Sequence, residues 1–219
     1  MNLLFGFLVS LLGLVFLLCN TFLFITNSTI RKKVYKIFLA YLIALSIIEI
    51  TCHIIGFLYP NLNLFISHFY FVFQFAFLSG LFYKLFTKKR MKQLIVLVFG
   101  IQICILASMY YSDPQLFWRF NVYEIVSTSL ILVAYALFFI VKNLEVQHHY
   151  FNFSIGLILY LCCSITIFLF GNLDLVLYEN PYIDIWIFNS LFYIIFQTMI
   201  LREYLFLKKT ISWQLKKSY

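Results

Sequence analysis

The chain has 219 residues, of which 64% are hydrophobic and 11% are charged. A soluble domain typically carries about 25% charged residues, so this composition excludes an ordinary soluble fold. The net charge of +8 would suggest nucleic acid as a partner of a soluble protein. Because the sequence carries no recognition module, we expect no nucleic-acid partner here.

Seven apolar stretches follow one another along the chain. They cover residues 3–25, 34–59, 64–86, 94–110, 122–141, 151–170 and 183–207. Crossing a hydrocarbon core of about 30 Å takes about 20 apolar residues, so each stretch is a candidate span. The first stretch is too long for the core of a signal peptide and has no basic residue before it, so we expect it to stay as a helix. The sequence therefore predicts an all-α bundle of seven transmembrane helices within residues 1–207.

Basic residues mark every second gap between the spans. Fifteen of the sixteen Lys and Arg residues lie in or beside the gaps after spans 1, 3, 5 and 7, and Arg119 is the exception. Membrane insertion leaves basic loops in the cytoplasm, so the pattern predicts an N-terminus outside and a C-terminus inside. Trp118 and Trp186 fall at the predicted outer boundaries, where indole rings favour the interface.

Residues 208–219 are predicted to form a short basic cytoplasmic tail. In this tail Ile211, Trp213 and Leu215 alternate with polar residues between two pairs of lysines. A segment that lies on the inner leaflet and a solvated, frayed end are both compatible with this pattern.

Polar side chains inside the spans are the candidate functional residues. A charged group at membrane depth is costly, and such residues usually face the interior of a bundle. In span 2, Glu49 and His53 are four residues apart and share one helix face with Ser46. At a rise of 1.5 Å per residue, Glu49 lies about 15 Å below the outer end of the span. The spacing predicts that Glu49 and His53 share a hydrogen bond or a proton.

Three other spans offer polar side chains at similar depth in the predicted outer half. Helical positions alone give the direction of a side chain within each span, so convergence between spans is a hypothesis. We predict one outward-facing pocket formed by Glu49, His53, His68, Gln74, Glu124, Asn189 and Tyr193. The alternative for Asn189 and Gln74 is a structural polar contact between helices. For Glu124 the alternative is a carboxylate at the membrane boundary.

No catalytic residue, metal site or cofactor is predicted. The five cysteines all lie in apolar stretches without a CxxC motif. His148 and His149 are adjacent and would point in different directions on a helix, whereas a metal site needs three or four convergent ligands.

Several short motifs follow one another along the spans. They are the aromatic stretch 36–41 that leads to Glu49, the start of span 3 at His68-Phe69-Tyr70, the basic run 88–90, the pair Gly171-Asn172 that ends span 6, and Asn189 in span 7. Their order resembles a family of small seven-span membrane proteins of Bacteroidetes-type bacteria. The resemblance implies an accessory or sensory protein of the bacterial inner (cytoplasmic) membrane, encoded in some members near a sensor kinase. The expected partners are membrane lipid and a separate protein, such as a sensor kinase or another effector.

Three functions remain open from the sequence. The first is a membrane sensor or accessory subunit that acts through its partner. The second is an intramembrane hydrolase or transferase acting on lipid, with Glu49 and His53 as general base and acid, although no nucleophile motif accompanies them. The third is a transporter or channel subunit, for which a broken helix at Ser79-Gly80 would be the signature.

Overall fold

The computed structural model describes residues 2–26, 33–59, 64–119, 121–144, 148–172 and 185–217. Their α-helices are α1 (Asn2–Thr26), α2 (Lys33–Leu58), α3 (Leu64–Leu85), α4 (Lys89–Ser112), α5 (Val122–Lys142), α6 (Phe151–Asn172) and α7 (Ile185–Lys217). A 3-10 helix, Pro114–Trp118, lies between α4 and α5. Each α-helix contains a stretch long and apolar enough to cross a membrane. The predicted all-α architecture with seven such helices is confirmed.

Two helices extend beyond the apolar stretches that predicted them. α4 begins at Lys89 instead of residue 94, and α7 continues to Lys217 through most of the predicted tail. Basic side chains can run along an apolar surface while their charged ends stay in water, which lets a helix continue past the hydrocarbon region. Residues 208–217 are therefore a continuation of α7, while residues 218–219 lie outside the described part.

Six of the described helices form a closed ring in the order α1, α2, α3, α5, α6 and α7, with α7 packed against α1. Polar contacts join neighbours in the ring. Asn20 of α1 donates a hydrogen bond of 3.0 Å to the side chain of Gln197 of α7. Thr21 of α1 lies 2.9 Å from Ser46 of α2, hydroxyl to hydroxyl. The fourth helix, α4, packs outside the ring against α3 and leaves much of its apolar surface exposed, as a lipid-facing helix would.

Glycines let α7 approach both of its neighbours. A Cβ atom at Gly156 of α6 would lie 2.6 Å from Cβ of Met199, and one at Gly13 of α1 would lie 2.9 Å from the ring of Tyr193. Within a membrane, close packing replaces the hydrophobic driving force between helices, and small residues make that packing possible. The two glycines thus fix α7 in the ring.

The two ends of the bundle differ in their interior. One end, which we call the basic end, is where α1, α3 and α5 finish and α2, α4 and α6 begin, and it carries every described Lys and Arg except Arg119. Here the fully buried ring of Phe38 lies 5.2, 5.4 and 4.9 Å, centroid to centroid, from Phe24, Tyr150 and Phe153. Aromatic side chains therefore fill the ring at the basic end.

A buried carboxylate fixes the start of α6 at the same end. Glu203 of α7 is fully buried, and its oxygens accept hydrogen bonds from the backbone N–H groups of Tyr150, Asn152 and Phe153, at 2.5, 3.1 and 3.5 Å. The first N–H groups of a helix have no partner within the helix, and the helix dipole favours negative charge there. Glu203 therefore caps α6 from the neighbouring helix.

Candidate functional site

A small cavity opens inside the ring at the end opposite the basic end. It has a volume of about 180 Å³ and is lined by side chains of α2, α3, α6 and α7. Glu49 of α2 and Asn189 of α7, both predicted pocket residues, line it together. The amide oxygen of Asn189 is buried and has no hydrogen-bond partner among the described residues. We call this space the ring cavity.

Tyrosines form the floor of the ring cavity. The hydroxyl groups of Tyr70 and Tyr160 lie 3.0 Å apart and connect α3 with α6. Next to them, Gln74 donates a long hydrogen bond of 3.4 Å to the hydroxyl of Tyr41. The ring of Tyr193 packs 5.5 Å from that of Tyr160. Gln74 and Tyr193 therefore belong to the packed layer beneath the cavity. They contact Tyr41 and Tyr160 and do not line the cavity beside Glu49.

His53 is turned away from this cavity towards α1. Its Nε2 atom lies 3.0 Å from the hydroxyl of Ser10, and its Nδ1 atom lies 2.8 Å from the backbone carbonyl of Glu49. Nδ1 is 3.8 Å from the carboxylate of Glu49, beyond hydrogen-bond distance. An N–H that donates to the carbonyl leaves Nε2 as the acceptor for the serine hydroxyl. The predicted hydrogen bond between the two side chains is thus replaced by a bond to the helix backbone.

A second polar cluster lies between α3, α4 and α5. Nδ1 of His68 lies 2.8 Å from the carboxylate of Glu124 and 2.8 Å from the hydroxyl of Tyr110. Tyr110 also donates a short hydrogen bond to that carboxylate. Asn121 caps the start of α5 by accepting from the backbone N–H of Glu124 at 3.2 Å. Because Glu124 is fully buried and hydrogen bonded, it is no simple boundary carboxylate.

The seven predicted residues therefore do not share one pocket. Glu49 and Asn189 line the ring cavity, Gln74 and Tyr193 support its floor, His53 contacts α1, and His68 with Glu124 forms the separate cluster. Successive residues on a helix point about 100° apart, so His68 and Tyr70, two residues apart, point to nearly opposite sides of α3. The packing between helices decides which neighbour each side chain meets.

Contributors to these sites that were not among the predicted residues include Tyr110, Ser10 and Tyr160. Tyr110 ends the predicted span 4 and looks like an ordinary interfacial tyrosine in the sequence. Ser10 and Tyr160 are single polar groups in apolar helices, and a helix tolerates both without any partner. The available signal was their depth, since each lies level with a predicted polar residue on a neighbouring span.

Two observations bear on the other functions. α3 is continuous through Ser79 and Gly80, so the helix break expected of a transporter is absent at that position. Among the described residues, no three His, Cys, Asp or Glu side chains lie together in a way that could hold a metal ion.

No protein-family model, no curated protein and no solved structure matches the chain.

Proposed function

We propose that the protein is a sensor or accessory subunit of the bacterial inner membrane, with the ring cavity facing outward and the basic end in the cytoplasm. It binds a small molecule or ion in the cavity and acts through a separate protein partner. The connections between helices at the basic end, residues 27–32, 86–88 and 143–150, are short. They are too short to hold an effector domain, and we expect a signal to pass to another protein by contact with this end.

The observation that carries the proposal is the asymmetry of the ring interior. At one end the cavity presents oxygen acceptors, the carboxylate of Glu49 and the unpartnered amide oxygen of Asn189. At the other end, aromatic rings around Phe38 close the interior. A site with acceptor oxygens favours a cation or a ligand that donates hydrogen bonds. A blind cavity of this kind supports binding better than passage through the ring.

Orientation is the first part of the proposal to test. Basic loops stay in the cytoplasm, and the described basic residues gather at one end. Reporter fusions after Lys92 and after Asn180 should indicate cytoplasm and exterior respectively. The opposite result would turn the cavity towards the cytoplasm and remove the outward sensor.

The partner is the second part to test. The tagged full-length chain is cross-linked in cells of its own host and purified, as wild type, as Glu49→Gln and as the control Ser108→Ala, whose exposed hydroxyl bonds only within α4. We expect a stoichiometric partner with a cytoplasmic effector domain, and we expect Glu49→Gln to change the activity of that effector. Effector activity that is identical for all three forms would contradict the proposal.

The contacts of His53 favour one second candidate, a serine hydrolase acting on lipid. Ser10, His53 and Glu49 stand in the order of a nucleophile, a base and an acid, with Ser10 within 3.0 Å of the imidazole. However, all three lie inside helices whose backbone N–H groups are already bonded, so no backbone donors remain for an oxyanion. A fluorophosphonate probe discriminates the two functions. Labelling that is lost in both Ser10→Ala and His53→Gln would favour the hydrolase.

A further inference from the structure

A second cleft lies outside the ring, between α3, α4 and the 3-10 helix. It has a volume of about 550 Å³. Its lining is almost entirely aromatic or apolar and consists of His68, Phe69, Val72, Tyr110, Pro114, Phe117 and Trp118. It shares no lining residue with the ring cavity, so a ligand here is independent of the sensor proposal. We call it the aromatic cleft.

His68 lines this cleft and carries a buried polar atom without a partner in the described part of the chain. The side chain is only 5% exposed, and its Nε2 atom has no hydrogen-bond partner among the described residues. The hydrogen-bond pattern assigns the proton on the other nitrogen. Tyr110 donates its proton to Glu124, so Nδ1 of His68, next to the same carboxylate and phenol oxygens, must be a donor. Leaving a buried polar atom unpaired is costly, so a ligand that reaches Nε2 and pairs with it would gain free energy.

A hydroxyl group suits Nε2 in either charge state of the ring. A neutral imidazole offers a lone pair at Nε2, to which a hydroxyl donates. A protonated imidazole offers an N–H at Nε2, from which the same hydroxyl accepts. An ammonium group satisfies only the first state and a carbonyl only the second. Glu124 and Tyr110 hold the imidazole from behind, so its orientation is fixed before a ligand arrives.

The walls of the cleft suit a flat ring. The ring of Phe117 is stacked on His68 at 5.5 Å with an angle of 24° between planes, and Trp118 stands at 87° to Phe117. Phe69 also stands nearly perpendicular to Phe117, at 87°. Aromatic pairs prefer such offset and edge-to-face arrangements, which an inserted ring can extend. Phe69 and Trp118 are 44% and 62% exposed, so the mouth of the cleft lies on the outer surface of the helix bundle, where lipid would be.

We propose that the aromatic cleft binds the hydroxylated aromatic ring of a membrane-dissolved phenol or quinol, with its hydroxyl on Nε2 of His68. The ring inserts beside Phe117, and an apolar tail leaves the mouth between Phe69 and Trp118. Glu124 is a positioning residue, since it contacts the imidazole while the cleft lining does not include it. The proposal concerns binding and requires no transfer of electrons.

The test uses the full-length protein in lipid nanodiscs with empty nanodiscs subtracted. The probes are 4-octylphenol, octylhydroquinone and 4-octylanisole, and the readout is the emission of Trp118, isolated by difference with Trp118→Phe. We expect both hydroxylated probes to bind saturably and the methyl ether to bind at least about tenfold more weakly, because it has no hydroxyl proton to donate to Nε2. Tighter binding of the hydroquinone would indicate a quinol, and equal binding a phenol.

Variants assign the effect to His68. His68→Phe keeps a ring beside Phe117 but removes Nε2, and we expect it to weaken the phenol by about tenfold and leave the methyl ether unchanged. His148→Phe makes the same exchange at an exposed position of the basic end and should change neither. Equal affinity of the phenol and its methyl ether for wild-type protein would overturn the proposal, whether or not His68→Phe folds. Full phenol affinity in a folded His68→Phe variant would also overturn it.

Discussion

Glu203 and Glu49 are both carboxylates within membrane-spanning helices, and they meet opposite conditions. At the basic end, Glu203 is fully buried and accepts from three backbone N–H groups at the start of the neighbouring α6. Glu49 keeps about 20% of its side chain exposed and lines a cavity, with its nearest basic nitrogen at 3.8 Å. A carboxylate whose oxygens are used within the fold is structural. One that presents them to a cavity is available to a ligand, so depth in the membrane alone does not identify function.

The largest expected effect is at Glu203. Glu203→Leu removes the acceptor for three N–H groups at the start of α6, and we expect the free energy of unfolding to fall by about 3 kcal/mol. The measurement is unfolding of the purified protein in detergent, by heat or by denaturing detergent. Glu203→Gln keeps one acceptor oxygen and should lose about half as much. A Leu variant as stable as wild type would show that water replaces the carboxylate as the cap.

A smaller effect is expected at Glu124, which is intermediate between Glu203 and Glu49 in how far its oxygens are bonded within the fold. One oxygen of Glu124 accepts from His68 and Tyr110, while the other has no partner among the described residues. Hydrogen bonds to an ionised acceptor are roughly twice as strong as neutral ones, so Glu124→Gln should lower the free energy of unfolding by about 1.5 kcal/mol. If the bonds act together, Tyr110→Phe should lose less stability in the Glu124→Gln background than in wild type. Additive losses would contradict a shared cluster.

The sequence was sufficient to predict the helices. It was not sufficient to predict which side chains meet between neighbouring helices. Apolar runs predicted all seven helices, because a span must be apolar along its whole length. The helix faces also brought Glu49 and Asn189 to one cavity. The helix faces did not predict the partner of His53, because the packing of α1 on α2 brings Ser10 to it. Glu203 carried no signal, because a Glu beside basic residues near the end of a span looks like an ordinary interfacial charge.

Glu49→Gln separates binding from stability. The substitution keeps the shape of the side chain and removes its charge, and we expect unfolding to change by less than about 1 kcal/mol. The same exchange at Glu203 is the matched comparison, with its larger loss of stability. We expect the Glu49 variant to fold normally and to lose its effect on the partner. A variant that purifies as wild type and keeps full function in its native host would remove the functional role of Glu49.

The smallest expected effect concerns a pair of neutral hydroxyl groups that contact each other between two helices. The hydroxyls of Thr21 and Ser46 lie 2.9 Å apart between α1 and α2, and each also lies 2.8 Å from a carbonyl of its own helix. Each hydroxyl has one proton, so one of them donates across the pair while the other donates to its own carbonyl. Interhelical hydrogen bonds within membranes average about 0.6 kcal/mol, because the separated helices find other partners. A double-mutant cycle of Thr21→Val and Ser46→Ala should give a coupling of that size. Here the backbone carbonyls already serve as those partners, so a coupling above about 1.5 kcal/mol would mean that neutral pairs contribute as much as the Glu124 cluster. In that case hydrogen bonding within the fold, with or without charge, would decide how much a buried polar group stabilises the bundle.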